Sequence, residues 1–237
     1  SWQNSDPSVR QAVHTTIESG ALLDASATGE GDGGTIVAWS DIDNSDGLTD
    51  VAGHFHATAG EKGGSGGRIE TSGALLTFGD IDIQATAENG DPGMWLLDPN
   101  NLDIVSSGGT SGSVAAANAV DSGSNTTIDA SVIETTLNAG TDVALTAAGV
   151  VYVGSAITKS SGGNAALTFT STGSNVYISD NIISTAGELD FTAKAAGLVK
   201  LADGKDITTN GGDIIFWANS GNVSSGTTAD NYAYIGS

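Results

Sequence analysis

Four aspartates that stand close together, Asp41, Asp43, Asp46 and Asp50, have residue types and spacing that suit a calcium ion. Ca²⁺ prefers about six to eight oxygen ligands, with carboxylates at alternate positions and a glycine where the loop bends. Gly47 stands among these aspartates, so we predict a calcium site there. The spacing differs from that of an EF-hand loop. The alternative is an ordinary turn, because Asp, Asn and Gly form turns without an ion.

Two histidines, His54 and His56, are separated by the single residue Phe55 in a segment with strand-like alternation. Side chains two residues apart on a strand share a face, and two imidazoles on one face can chelate a transition metal. The chain has no cysteine, and no third ligand stands near the histidines in the sequence. We therefore favour a solvated surface pair over a metal site, with Phe55 pointing inward.

Aromatic and glycine-rich segments offer weaker signals. Trp39, Trp95 and Trp217 could form a platform for sugar rings, but the pattern around Trp39 and Trp95 favours core packing. Segments 31–34 and 63–67 are rich in glycine, and neither continues into the Lys-Ser or Lys-Thr of a phosphate-binding loop. We interpret them as corners where two backbones approach closely.

Catalysis has no candidate residues in this sequence. The 28 acidic residues could place two carboxylates at the spacing of a glycosidase once the chain is folded, but no pair stands out. The 7 basic residues and 3 histidines are scattered, and no serine-nucleophile motif is present. We predict no catalytic site and no certain cofactor.

Charge and composition disfavour several kinds of binding partner and binding site. The formal net charge is -21, which disfavours binding to nucleic acid and to anionic lipid. No apolar segment approaches the ~18 residues of a membrane-spanning helix, so membrane insertion is not expected. The absence of cysteine excludes disulfide bonds and cysteine-based metal sites.

Short alternating segments recur at a regular interval in the second half of the chain. Four similar segments begin at Val143, Leu167, Leu189 and Ile214, which are 24, 22 and 25 residues apart. A unit of this length cannot bury its own apolar face, whereas stacked units share a continuous core. We therefore predict an all-β solenoid in which each strand pairs in parallel with the equivalent strand of the next unit.

One helix interrupts this pattern. Ser131 and Glu134 have the spacing of a capping box, and Gly140 stands where a helix would end, which predicts a helix over residues 132–139. The solenoid is then expected to have three parts. These are residues 1–105, an excursion plus the helix over residues 106–140, and shaft repeats over residues 141–237.

The first half contains a recognisable series of motifs in segments 31–41, 51–57, 63–73 and 96–104 and in the helix with residues 141–143. Together these motifs resemble the filamentous haemagglutinin-like exoproteins of two-partner secretion systems, and the resemblance covers residues 22–143 well. Beyond this region the chain is similar only to general shaft repeats. Two departures are the longer, more acidic segment 41–50 and the histidines that flank Phe55.

The resemblance implies a right-handed parallel β-helix, located after the family's secretion domain. It also implies export through an outer-membrane transporter partner, a secreted or cell-surface location, and adhesion to a host-cell or matrix receptor or to biofilm. We expect a structural and adhesive segment that is not an enzyme. The alternatives are a carbohydrate-active β-helix enzyme, with a cleft near residues 106–125, and a glycan- or protein-binding module without turnover.

Overall fold

The computed structural model describes residues 10–107, 125–219 and 233–235, and almost all regular structure within them is β-strand. The strands in chain order are β1 (His14–Ile17), β2 (Leu22–Asp24), β3 (Thr35–Trp39), β4 (Leu48–His56), β5 (Arg68–Ser72), β6 (Leu75–Gln84), β7 (Met94–Asp98), β8 (Leu102–Val105), β9 (Thr126–Asp129), β10 (Asp142–Ala147), β11 (Val151–Val153), β12 (Ile157–Lys159), β13 (Ala165–Ser171), β14 (Val176–Ile178), β15 (Ile182–Ser184), β16 (Leu189–Ala195), β17 (Val199–Leu201), β18 (Ile207–Thr208), β19 (Ile214–Trp217) and β20 (Ala233–Ile235). One helix, α1 (Ala130–Asn138), lies between β9 and β10.

The strands form four sheets, and every pairing between these strands is parallel. One sheet has the order β1-β4-β2, with β6 on the other edge of β4. The longest has the order β19-β16-β13-β10-β7-β5-β3. The other two have the orders β20-β17-β14-β11-β8-β9 and β12-β15-β18. The expected all-β, parallel architecture is therefore confirmed at this level.

The core is built from inward side chains that are aligned from strand to strand. In the longest sheet Trp95 aligns with Val143, Val143 with Leu167, and Leu167 with Phe191. All four side chains are at most 1% exposed. The rings of Phe169 and Phe191 meet edge to face with centroids 5.6 Å apart. Alternation along each strand thus produces a continuous apolar column through the sheet.

Glycine is required where backbones of neighbouring strands nearly touch. A Cβ on Gly66 would lie 2.0 Å from the carbonyl oxygen of Ala85 and 2.3 Å from the nitrogen of Gly93. A Cβ on Gly33 would lie 2.0 Å from the carbonyl oxygen of Ala57. The prediction of close backbone approach in segments 31–34 and 63–67 is confirmed at these two positions.

Helix α1 confirms the predicted short helix, but its start differs from the prediction. The helix begins at Ala130, and Asp129 precedes it in an extended conformation without a side-chain capping bond. Ser131 already lies in the first turn, where its carbonyl oxygen accepts a hydrogen bond from Thr135 Oγ1 at 2.8 Å. The predicted capping box of Ser131 and Glu134 is therefore wrong. The sequence signal was local, whereas Glu134 has a tertiary partner described below.

The end of α1 agrees with the prediction. Gly140 has a φ of 85° and donates its N–H to the carbonyl oxygen of Leu137 at 3.0 Å. The N–H of Thr141 bonds to the carbonyl oxygen of Thr136 at 3.2 Å. This pair of bonds is a Schellman motif, which terminates a helix with glycine in the left-handed conformation.

Side chains of α1 satisfy the backbone at one edge of β12. Glu134 Oε1 accepts the N–H of Thr158 at 2.7 Å. Asn138 Oδ1 accepts the N–H groups of Ser160 and Ser161 at 2.8 and 3.0 Å. The helix also contacts β6 and β10. It therefore takes the place that a further strand would occupy beside β12.

The described residues contain no helix long and apolar enough to cross a membrane. Most of the expected excursion over residues 106–125 lies outside the described residues, as do residues 1–9, 220–232 and 236–237. The three-part division of the chain stays a prediction.

Candidate metal centre

His54 and His56 lie at the end of β4 on its outward face. Phe55 between them is fully buried, as the alternation predicted, and fixes the phase of the strand. The side chains of His54 and His56 are 53% and 27% exposed, so both rings are reachable from solvent. Their ring centroids are 5.9 Å apart with an interplanar angle of 67°.

Asp82 on β6 brings a carboxylate to both histidines. Its Cα aligns with that of His54 across the β4–β6 pairing. Asp82 Oδ2 lies 3.0 Å from His56 Nε2 and 3.3 Å from His54 Nδ1. One ligand atom from each of the three residues lies within 4.8 Å of the others. The third ligand that no neighbouring sequence position provided thus comes from the adjacent strand.

A β-bulge sets the direction of the Asp82 side chain. Val51 aligns with Phe78, but Gly53 aligns with Ile81, so Gly79 and Asp80 together stand opposite a single residue of β4. Without this extra residue, Ile81 would align with His54 and Asp82 would point into the core. A shift of one residue exchanges the two faces of a strand, so the bulge is what places the carboxylate beside the imidazoles.

Gln84 positions the Asp82 carboxylate from the same face of β6. Its Nε2 donates to Oδ2 at 3.0 Å and to Oδ1 at 3.3 Å. Burial acts to raise the pKa of Asp82, but hydrogen bonds from His56, His54 and Gln84 outweigh it and hold the pKa below its ordinary value. Asp82 is therefore an ionised acceptor at neutral pH.

A second carboxylate, Asp24, lies on the other side of His56. The Cα atoms of Asp24 and His56 align across the β2–β4 pairing. The pKa of Asp24 is lowered, mainly by hydrogen bonds from the backbone and side chain of Ser26 and to a smaller extent by His56. The histidines are thus flanked by negative charge on both neighbouring strands.

An open cavity of about 480 Å³ adjoins the cluster. Its lining residues come from β4, from the bulged part of β6 and from the region where α1 begins. They are His54, Gly79, Asp80, Ile81, Asp82, Asp129, Ser131 and Val132. Two imidazole nitrogens and one carboxylate oxygen beside an open space are a donor set that suits zinc, copper or nickel.

The predicted calcium loop is a pair of Asx turns. Asp41 Oδ1 accepts the N–H of Asp43 at 3.1 Å, and Asn44 Oδ1 accepts the N–H of Asp46 at 3.0 Å. Side-chain to backbone bonds of this kind stabilise turns without an ion. These bonds are the ones expected if residues 41–46 form ordinary turns, which was the alternative to a calcium site.

Asp50, the fourth predicted calcium ligand, lies on β4 after the turns. It accepts a hydrogen bond from Thr77 Oγ1 at 2.6 Å. Within the described residues, His54, His56 and Asp82 bring three possible metal ligands close together, whereas the four aspartates do not form such a group. The calcium site at Asp41, Asp43, Asp46 and Asp50 stays a prediction.

The three tryptophans do not form one platform. Trp95 is fully buried and donates from Nε1 to Thr71 Oγ1 at 3.1 Å, which confirms its core position. Trp39 shares the phase of the exposed residues of β3 and is only half-buried, so its expected core position is wrong. Trp217 is 51% exposed, with Lys194 Nζ 4.7 Å from its ring centroid. β3 and β19 are the two edges of the longest sheet.

Comparison with known proteins gives no identification. No protein-family model matches the chain, and no curated protein matches it in sequence. The resemblance to filamentous haemagglutinin-like exoproteins stays a prediction that depends on the quoted segments.

Proposed function

We propose that this chain is a right-handed parallel β-helix that serves as a structural and adhesive segment of a large secreted bacterial surface exoprotein. Its role is to mediate attachment to cells or to a biofilm matrix, without catalysis. Each coil of the helix contributes one strand to the longest sheet, and successive coils stack along one axis.

The main support is the regular spacing of residues that align from strand to strand. Positions 143, 167, 191 and 214 align in sequence across four strands, with intervals of 24, 24 and 23 residues. Positions 151, 176 and 199 align in another sheet with intervals of 25 and 23. Similar intervals in separate sheets are expected when one coil contributes a strand to each sheet before the next coil begins.

Asparagine side chains link neighbouring coils and support a rigid rod. Asn175 Oδ1 accepts the N–H of Leu198 at 2.7 Å, and Asn181 Oδ1 accepts the N–H of Asp206 at 2.9 Å. The acceptor and donor are separated by 23 and 25 residues in these two bonds. Such bonds satisfy corner backbone groups that the strands leave unpaired.

The partners follow from the resemblance. We propose export through an outer-membrane transporter and attachment to a glycan or protein receptor of a host cell or matrix. The net charge of -21 is compatible with a soluble surface. The lack of cysteine is compatible with export of the chain in an unfolded state, because no disulfide bond would block its passage.

An attachment assay tests this function. The purified chain is coated on a surface, and the adherence of host cells and the retention of biofilm are measured against coating density. We expect adherence that saturates and that the soluble chain inhibits. A coat of an unrelated folded protein of similar negative charge is the control. Adherence no greater than on this control would contradict the adhesive function.

The cavity beside the histidine cluster favours one second candidate, a carbohydrate-active enzyme. Asp80, Asp82 and Asp129 all line this cavity, and glycoside hydrolysis requires two carboxylates in a cleft. Release of reducing ends from a panel of polysaccharides, lost in the Asp80→Asn and Asp129→Asn variants, would support the enzyme. No release from any polysaccharide would leave the adhesive segment as the better proposal.

A further inference from the structure

We propose that His54, His56 and Asp82 form a binding site for a divalent transition-metal ion of the zinc class. The ion would join two neighbouring strands, β4 and β6. This inference is independent of the adhesive function, because it depends only on the geometry of the three side chains and their surroundings.

Two of the three distances between the ligand atoms are close to those of a tetrahedral zinc site. Bonds of about 2.0–2.2 Å at tetrahedral angles place ligand atoms about 3.3–3.6 Å apart. Asp82 Oδ2 lies 3.0 and 3.3 Å from the two imidazole nitrogens. The nitrogens lie within 4.8 Å of each other, and the ring of His54 is the more exposed of the two. An ion can therefore enter with small side-chain rotations.

The backbone already holds the ligands in position. Phe55 is fully buried between the two histidines, and Ile83, next to Asp82, is 3% exposed. These anchors fix the phase of β4 and β6, so the three ligand residues stay on the same outward face of the sheet. Ligands on strands with buried neighbours are better positioned than ligands on loops, which reduces the cost of binding.

Gln84 adds a supporting contact of the kind that metal sites use. Its Nε2 bonds to both carboxylate oxygens of Asp82 and orients the group toward the imidazoles. Groups that orient a metal ligand typically contribute about 10- to 100-fold to metal affinity. Gln84 is therefore a positioning residue in this proposal.

The site leaves a coordination position open toward the cavity. Three protein ligands with a fourth position for water are the usual arrangement of an accessible zinc site. Asp80 and Asp129 also line the cavity, and the chain as a whole is strongly negative, so the electrostatic field attracts a cation.

The ligand chemistry selects zinc, copper and nickel over calcium and magnesium. Imidazole nitrogen is a good ligand for the first group, whereas Ca²⁺ and Mg²⁺ prefer oxygen ligands. A nonspecific attraction to the acidic surface would not make this distinction. The difference between Zn²⁺ and Ca²⁺ is therefore the basis of the test.

Calorimetric titration of the full chain with ZnCl2 and with CaCl2 provides the first measurement. We expect one Zn²⁺ per chain at a saturable site that a tenfold excess of Ca²⁺ does not displace. The His54→Ala, His56→Ala and Asp82→Asn variants should each bind Zn²⁺ at least about tenfold more weakly, and Gln84→Leu about tenfold more weakly. His14→Ala is the matched control, since His14 is an exposed histidine on β1 and should leave binding unchanged.

Thermal unfolding and X-ray absorption give independent readouts. Zn²⁺ should raise the melting temperature of the wild-type chain and of His14→Ala but not of His56→Ala, because a ligand of the native state stabilises it by mass action. The zinc absorption edge should show two imidazoles with additional oxygen ligands. The proposal is overturned if wild type shows no saturable Zn²⁺ binding, if His56→Ala binds as tightly as wild type, or if Ca²⁺ competes equally.

Discussion

Lys159 provides the sharpest test of how the interior is stabilised. Its side chain is fully buried at the end of β12, where burial lowers its pKa. Its Nζ donates to the carbonyl oxygens of Ser161 at 2.8 Å, Ala186 at 2.5 Å and Gly162 at 3.4 Å. In the strand stacked on β12, the aligned residue Ser184 bonds to the carbonyl oxygens of Ala186 and Gly187. The lysine thus satisfies corner carbonyl groups.

The expected cost of Lys159→Met follows from these bonds. Methionine has a similar shape but no donor, so the Ser161 carbonyl loses its hydrogen bond from the charged ammonium group, at a cost of about 1.5–3 kcal/mol. The Ala186 carbonyl retains Ser184 Oγ at 3.2 Å and loses about 1 kcal/mol. Methionine also removes the desolvation cost of a buried ammonium group, which offsets part of the loss. We expect a net destabilisation of about 1–3 kcal/mol.

Urea unfolding followed by circular dichroism measures this difference directly. Lys62→Met, which removes an exposed lysine, is the control for the change in charge and should alter the free energy of unfolding by less than about 0.5 kcal/mol. If Lys159→Met is as stable as wild type or more stable, desolvation of the ammonium group outweighs its hydrogen bonds. The interpretation of Lys159 as a structural donor would then be wrong.

Three further predictions concern a partly buried carboxylate, the helix and a corner. Burial raises the pKa of Asp142, so wild type loses stability as pH rises from about 4 through that pKa. Asp142→Asn should therefore increase the melting temperature at pH 7 but not at pH 3.5. Asp213→Asn, at an exposed position, is the control and should change the melting temperature less at either pH. Glu134→Leu should lower the free energy of unfolding in urea by about 1–3 kcal/mol, because it leaves the N–H of Thr158 in β12 without its acceptor. Glu134→Gln retains an acceptor oxygen and should cost less. Equal costs would contradict the role of Glu134 as the acceptor for β12. Gly66→Ala should cost more than about 3 kcal/mol of folding stability or prevent folding. Gly29→Ala, where a Cβ meets no atom within 4 Å, is the control and should fold normally by circular dichroism. A stable Gly66→Ala variant would contradict the close approach of the two backbones.

The sequence predicted the type of secondary structure better than the register of the strands. The segment beginning at Leu189 was aligned with that beginning at Leu167, an interval of 22 residues. In the structure Leu167 aligns with Phe191, and Leu189 aligns with Ala165. A shift of two residues leaves every side chain on the same face, so alternation alone cannot distinguish the two registers. Backbone hydrogen bonds and corner packing make that choice.

The candidate metal centre could be predicted only in part for a related reason. The spacing of His54 and His56 places them on one face, and this prediction is confirmed. Asp82 is 26 residues beyond His56, and its alignment depends on a bulge at Gly79 and Asp80 that no alternation pattern reveals. The inward position of Lys159 in β12 was not predicted, because a charged side chain is normally expected to face solvent.

The bulge, the helix and the cavity belong to one irregular region. Among the described residues, the edge of β6 that faces away from β4 pairs with no strand and lies next to β9 and α1. Parallel strands lie about 4.8 Å apart, whereas a helix with its side chains is about 10 Å wide, so the helix cannot fit closely along the bulged edge of β6. The cavity opens at this junction, between Gly79 and Asp80 on one side and Ser131 and Val132 on the other. The same bulge that widens the edge also aims Asp82 at the histidines. Within the described residues, α1 interrupts the repeating strands next to the bulge and the cavity, which is also where the proposed metal site lies.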